Sequence, residues 1–175
     1  MKKLLFLLFA CLISSMIQAQ GSHLNFLGSP IDGTLEEYKE FLEKKDFRRD
    51  MSDKSYAGYF FNKFCTLNLR VNEDSKKVSS VEVYYYSKAH GHSQETLISL
   101  YNRIKQGLKN KYKKAKVLQQ PGIAFFILPQ GYIKCEIYEI TMNFGNGTYL
   151  KVNYVDKLNT KNYTVPTLRN PENDL

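Results

Sequence analysis

Two stretches of the chain, residues 62–88 and 131–157, share one layout: two segments of alternating apolar and polar residues, joined by a polar turn. Each stretch has a cysteine early in its first segment, Cys65 in one and Cys135 in the other, and a tyrosine-bearing second segment that closes on a lysine. Alternation with a period of two residues indicates a β-strand with one face in the core. Each stretch also follows an apolar run and an amphipathic helix, so the chain is predicted to use one half-unit twice.

Each half-unit begins with a predicted amphipathic helix. The first helix opens at Thr34, which precedes Glu37 with the spacing of a capping box. The second spans residues 93–114, and Gly107 within its apolar stripe predicts a close approach of helix and sheet. Because each stripe needs an apolar cover, both helices are expected on one face of a shared sheet, with the opposite face open. The predicted fold class is α+β in two layers: a tandem repeat of a helix plus about three antiparallel strands.

The longest predicted strand, residues 132–144, does not keep one apolar phase. Ile137 and Ile140 fall on opposite faces of a regular strand, which predicts a β-bulge near Tyr138 and Glu139. The Asn146-Gly147 pair that follows accepts positive φ at low cost, and therefore predicts the hairpin turn.

The first 19 residues have the composition of a secretory signal peptide. Two lysines precede a ten-residue apolar run, and small and polar residues then lead to Ala19. The run is shorter than the roughly 20 apolar residues that span a bilayer, so the chain is not expected to be transmembrane. Cleavage near Ala19 would export the protein to the periplasm or the medium. A lipoprotein signal with Cys11 as the lipid-bearing residue is the alternative.

The rest of the chain is expected to form one domain, residues 20–160, followed by a polar and flexible tail, residues 161–175. The two half-repeats of the domain are residues 23–88 and 89–158. Two of the 25 Lys and Arg residues fall in the signal peptide, so the mature chain has a net charge of +6 against 17 acidic residues. This charge does not select a partner, and nucleic acid is not expected as one.

Cys65 and Cys135 are the cysteines that remain after cleavage. They occupy matching positions in the two halves, and an exported protein meets an oxidising compartment, so a disulfide between them is possible. The other interpretation is a pair of buried free thiols that act as small apolar residues. The sequence leaves both open, because it does not show whether the two strands are adjacent.

The open sheet face is expected to carry several tyrosines. Alternation places Tyr84 and Tyr86 on this face in the first half, and Tyr138 and Tyr149 in the second, together with Arg70. Rigid aromatic side chains and arginine are enriched in protein-binding surfaces. These five residues are the candidate binding site, with ordinary cross-strand pairing on a solvated face as the alternative interpretation.

The second predicted helix is strongly basic, with no acidic residue between residues 103 and 116. The candidate basic patch comprises Arg103, Lys105, Lys109, Lys113 and Lys114. Such a patch suits anionic lipid or polysaccharide of the cell envelope. The alternative is a solvated helix face whose cations favour the helix C-terminus.

Motifs of known catalytic chemistry do not occur in the sequence. There is no nucleophile elbow, phosphate-binding loop or zinc-protease pattern. His90 and His92 offer two imidazoles, but no second cluster of Cys or His completes a metal site. We therefore expect a protein that is not an enzyme and has no catalytic residue, metal or cofactor.

Two short patterns carry a resemblance to known proteins. Residues 29–34, SPIDGT, precede the first helix, and residues 154–159, YVDKLN, close the last strand. With the order and duplication of helices and strands, they resemble β-lactamase inhibitory proteins and small exported proteins of Gram-negative bacteria. The resemblance implies a periplasmic binding or inhibitor-like module, and it assigns no catalytic residue.

The expected function is that of an exported, non-enzymatic module that binds a protein or peptide through the aromatic sheet face. The alternative is an envelope-associated protein that binds anionic lipid or polysaccharide through the basic second helix. The identity of the ligand and the oligomeric state are left open by the sequence.

Overall fold

The structure, a computed structural model, describes residues 22–50, 54–87, 89–142 and 145–168. Its helices are α1, Leu35–Glu43, and α2, Gln94–Lys111. Its strands are β1 Asn25–Phe26, β2 Ser29–Pro30, β3 Arg48–Arg49, β4 Ser55–Phe60, β5 Lys63–Val71, β6 Val78–Tyr86, β7 Lys116–Gln120, β8 Ile123–Leu128, β9 Gly131–Met142 and β10 Gly145–Asp156. The predicted signal peptide, with Cys11, lies outside the described residues.

Eight strands form one antiparallel sheet in the order β3-β4-β5-β6-β10-β9-β8-β7. The first half of the chain supplies one side of this sheet and the second half the other, so that β6 and β10 join the halves at its centre. Val83 of β6 pairs with Leu67 of β5 and Val152 of β10, and all three side chains are fully buried. They belong to the core, which lies on the sheet face covered by α2.

The predicted fold class is wrong. The described residues form mostly sheet, with an eight-stranded and a two-stranded antiparallel sheet, and not a tandem repeat of a helix plus about three strands with both helices on one face. The helices are unequal, because α1 has nine residues and buries Tyr38 and Leu42, whereas α2 has 18 residues and buries five. A helix as short as α1 does not cover half of a sheet. The expected count of about three strands per half is too low, because each half supplies four strands to the eight-stranded sheet.

Both helices begin where their capping residues indicate. Thr34 Oγ1 accepts a hydrogen bond from the N–H of Glu37 at 3.3 Å, and the Glu37 carboxylate accepts one from the N–H of Thr34 at 2.7 Å. Ser93 Oγ accepts a hydrogen bond from the N–H of Thr96 at 3.1 Å. Each cap satisfies N–H groups that have no partner inside the helix.

The helix α2 departs from its prediction at two points. It ends at Lys111, because Tyr112 leaves the helical conformation with φ −110° and ψ 62°. A Cβ added at Gly107 would meet no atom closer than the Phe61 ring at 3.8 Å, so the predicted close approach is wrong. Neither described helix combines the length and apolar character that a membrane span requires.

The hairpin of β9 and β10 corrects two further predictions. Its pairing is regular along β9, so there is no β-bulge at Tyr138 and Glu139. Asn146 and Gly147 are part of β10 and not of the turn. β9 pairs with both β8 and β10 up to Glu136, and with β10 from there to Met142.

Cys65 and Cys135 are free, buried thiols. They lie on β5 and β9, with β6 and β10 between them. At about 4.8 Å per strand the backbones are roughly 14 Å apart, well beyond the ~7 Å that a disulfide spans. The possible disulfide is thus not formed, and burial raises the pKa of each thiol to about 12.

The start of the predicted tail contacts the domain. Lys161 Nζ lies 2.9 Å from Asp74 Oδ2, and the Tyr163 ring centroid lies 6.0 Å from that of Tyr132. The chain from residue 169 onward lies outside the described residues.

Candidate binding face

The register of the central strands brings the four predicted tyrosines together on the sheet face opposite α2. Tyr149 of β10 pairs with Tyr86 of β6 and with Tyr138 of β9. The ring centroids of these two partners lie 5.1 and 4.6 Å from that of Tyr149. Tyr84, two residues before Tyr86, stacks on it with ring centroids 6.1 Å apart. The four rings form one contiguous cluster.

Three further aromatic residues extend this cluster across the sheet. Phe64 of β5 contacts Tyr59 of β4, with ring centroids 5.7 Å apart, and His90 at 5.1 Å. His90, in the loop after β6, contacts Tyr86 at 5.2 Å. The continuous row of rings, which we call the aromatic band, consists of Tyr59, Phe64, His90, Tyr86, Tyr149 and Tyr138. It crosses β4, β5, β6, β10 and β9 along the direction of the cross-strand pairs.

The aromatic band is exposed at its ends and partly to fully buried in its middle. Tyr59 is 72% exposed at one end and Tyr138 is 45% exposed at the other, whereas Tyr149 is 6% exposed. Burial, followed by a hydrogen bond with Tyr138, raises the pKa of Tyr149. The central rings therefore form a preorganised floor, and the end rings are those that a partner would cover.

His90 is fixed in the band by its ring nitrogens. Nδ1 accepts a hydrogen bond from the N–H of Tyr86 at 3.2 Å, and Nε2 lies 3.2 Å from Thr66 Oγ1. Burial, and then the proximity of His92, lowers the pKa of His90. The ring is thus a neutral aromatic member of the band at neutral pH. In the part of the chain that the structure describes, no three His, Cys, Asp or Glu side chains group as metal ligands.

A charged network borders the band on the same sheet face. The buried carboxylate of Glu82 accepts hydrogen bonds from Tyr84 Oη at 2.6 Å and Arg70 Nε at 3.2 Å, and lies 2.8 Å from Lys151 Nζ. Burial alone would raise the pKa of Glu82, but these hydrogen bonds and positive charges outweigh it and lower the pKa. Arg70, predicted as part of the site, thus adjoins the tyrosines through Glu82.

One polar atom of this network has no partner. Asn153 pairs in register with Glu82 and Lys134, and its Oδ1 is buried without a hydrogen bond to any described residue. Lys134 is turned to Glu136 instead, with Nζ 2.5 Å from Oε2. A buried carbonyl without a donor costs about 1–3 kcal/mol.

The five residues of the predicted basic patch have different surroundings. Arg103 donates a hydrogen bond to the Phe61 carbonyl at 2.8 Å, and Lys105 Nζ lies 4.3 Å from the centroid of the Tyr101 ring. Lys109 is exposed on α2. Lys113 and Lys114 follow the end of α2 and line a separate groove.

The two patterns noted in the sequence meet at a histidine. His23 Nε2 lies 3.3 Å from Asp32 of the SPIDGT pattern, and Nδ1 lies 3.1 Å from Asp156 of the YVDKLN pattern. Asp156 also accepts hydrogen bonds from the N–H groups of Leu24 and Asn159, at 2.7 and 2.9 Å. The cluster connects the start of the described chain to the end of β10, and we assign it a role in stability.

Sequence reasoning missed Tyr59, Phe64 and His90. Tyr59 and Phe64 are direct partners in the β4–β5 register. Phe64 lies two residues before Thr66, which pairs with Tyr84. Extending the alternation backwards from Thr66 along β5 would have found Phe64. His90 lies in a loop, and no periodicity predicts its position.

Comparison with protein-family models, with curated proteins and with solved structures finds no match to this chain. The resemblance to β-lactamase inhibitory proteins therefore stays a prediction.

Proposed function

We propose that this chain is an exported, non-enzymatic module that binds a protein or peptide through the aromatic band. The observation that supports the proposal most is the continuity of the band: six rings in unbroken contact, with Tyr59 and Tyr138 exposed at its ends. Aromatic rings held rigidly add contact area at low entropic cost, as binding surfaces require.

The dimensions of the band suit an extended peptide. It crosses five strands, so its length is about 19 Å at roughly 4.8 Å between strands. An extended peptide rises about 3.3 Å per residue, and some six residues would cover the band. The exposed Arg70 guanidinium beside the band can give such a peptide a polar contact.

The test is selection of peptides from a random display library by immobilised residues 20–175, the predicted mature chain, followed by affinity measurement on a selected peptide. The Tyr59→Ser/Tyr138→Ser variant removes the exposed ends of the band and leaves its floor in place. We expect it to weaken binding by at least about tenfold, since each lost ring contact is worth on the order of 1 kcal/mol or more.

The matched control is Ile98→Ser/Leu158→Ser, which removes two exposed apolar side chains outside the band. It should bind like the wild type, and added salt should have little effect on either protein. The proposal would be refuted if both variants lost affinity equally, or if the selected peptides bound the band variant as tightly as the wild type.

The envelope-binding alternative has less support. It needs the five basic residues to act together, and Arg103 and Lys105 are engaged with Phe61 and Tyr101. Binding through the basic residues would weaken with salt, because exposed charges are screened within about 8 Å at physiological ionic strength.

A further inference from the structure

A groove lies at the C-terminal end of α2, away from the aromatic band. It encloses about 540 Å³ between the end of α2, the start of the described chain and the turn after β8, which is within the range of small-molecule sites, about 300–1,000 Å³. Its inner wall is apolar and includes Leu24, Tyr112 and Leu128, all packed against the core.

The charged residues of the groove wall are cationic. Lys111, Lys113 and Lys114 line it, and no Asp or Glu does. Among the described residues, Lys113 and Lys114 have no carboxylate within salt-bridge distance, unlike Lys134 and Lys151 on the sheet face that bears the aromatic band. These two charges therefore have no partner in the described part of the fold.

His23 adds to the definition of the groove. It lines the wall and is held by Asp32 and Asp156, whose oxygens lie 3.3 and 3.1 Å from its ring nitrogens. The turn on the other side is tied to the start of the described chain, because Gln130 Nε2 donates a hydrogen bond to Ser22 Oγ at 3.0 Å. Both walls are thus fixed relative to each other.

We infer that this groove binds an anionic amphiphile, a single hydrocarbon chain that ends in a phosphate or carboxylate. The apolar wall would cover the hydrocarbon chain, and the lysine pair after α2 would bind the anionic group. A simple anion would leave the apolar wall exposed, and a neutral lipid would leave both ammonium groups unpaired. This site is independent of the aromatic band and of the peptide proposed to bind there.

The test is calorimetric titration of residues 20–175 with decyl phosphate, below the concentration at which it forms micelles. We expect saturable binding of one ligand per chain, far tighter than that of methyl phosphate or decyltrimethylammonium. The Lys113→Gln/Lys114→Gln variant should bind about tenfold more weakly or worse, the loss expected when charge-assisted hydrogen bonds are removed.

The control is Lys44→Gln/Lys45→Gln, which likewise removes two lysine charges, at the end of α1. It should bind decyl phosphate like the wild type, and so should the aromatic-band variant. Equal affinity for methyl phosphate, equal loss in the control pair, or binding only to vesicles that contain anionic lipid would each overturn the inference. The last result would point to a membrane surface and not to a single-chain ligand.

Discussion

Glu82 shows how a single residue holds the sheet face together. Its carboxylate is 5% exposed and joins Tyr84, Arg70 and Lys151. In Glu82→Gln the half-buried ammonium of Lys151 loses its counter-charge. We expect the free energy of unfolding, measured by urea denaturation at neutral pH, to fall by about 2 kcal/mol, the typical value of hydrogen bonds to charged groups.

The same residue makes a prediction about pH. The pKa of Glu82 in the folded protein is lowered from its ordinary value of 4.5. Its stabilising contribution is therefore complete above pH 4.5 and is lost as the pH falls through the folded pKa. The difference in unfolding free energy between wild type and Glu82→Gln should shrink on acidification. A difference that stays constant down to pH values well below 4.5 would contradict the proposed ionic network.

The two core cysteines predict a pattern of chemical reactivity. Burial raises the pKa of Cys65 and Cys135 to about 12, so neither thiol ionises at neutral pH. We expect a disulfide-exchange reagent to leave the native mature chain unmodified and to react with two thiols after unfolding. Rapid reaction of the native protein would show that the core opens. Failure of the unfolded chain to react would indicate a disulfide.

At the scale of elements, one residue of α2, Gly107, lowers the stability of the helix. Gly107 lies inside the helix, and a Cβ there would make only ordinary contacts, the nearest to Phe61 at 3.8 Å. Gly107→Ala should therefore raise the free energy of unfolding by about 0.5–1 kcal/mol, through lower entropy of the unfolded chain and better helix propensity. Gly58→Ala is the contrasting change, because its Cβ would overlap the Phe47 ring and must destabilise the protein. Thermal unfolding of both variants decides the matter, and a Gly107→Ala protein less stable than wild type would count against this packing.

The elements also show what a sequence of this kind can predict. The starts of both helices follow from Thr34 and Ser93, because a capping side chain acts within a few residues. The alternation along β5 and β6 likewise predicts which side chains face the core. Such signals are local, so they survive without knowledge of the fold.

Register is the part that the sequence did not predict. Asn146-Gly147 has the composition of a turn but lies within β10, and the observed register, with Gly145 opposite Met142, places Tyr149 opposite Tyr138. The pairing of β6 with β10 depends on contacts between residues more than 60 positions apart. No periodicity within either strand contains that information, and for this reason the candidate residues could be named but the band could not.

For the whole molecule, the wrong fold class has a related cause. The prediction gave each half one helix and about three strands because two stretches share a layout, whereas each half supplies four strands and the helices have nine and 18 residues. They join at β6 and β10, which places Tyr86 beside Tyr149 and creates one continuous sheet. The aromatic band exists only because of this junction, since it draws rings from both halves.

Asp156 closes the molecule by linking the start of the described chain to the end of β10. It is fully buried, and its two oxygens accept from the N–H groups of Leu24 and Asn159 while His23 approaches one of them. In Asp156→Asn one oxygen becomes an NH₂ group, which must face a backbone N–H in either orientation of the amide. We expect the free energy of unfolding to fall by about 3 kcal/mol, and amide hydrogen exchange at Leu24 and Asn159 to accelerate. Asp32→Asn is the comparison within the same cluster, because Asp32 contacts the side chains of Lys77, His23 and Asn159 and is itself 31% exposed, and ion pairs near the surface contribute about 1 kcal/mol or less. If the Leu24 amide stayed protected from hydrogen exchange in Asp156→Asn, the segment around Leu24 would be held by the β1–β2 hairpin and not by this carboxylate. The groove that Leu24 lines would then keep its shape in the variant.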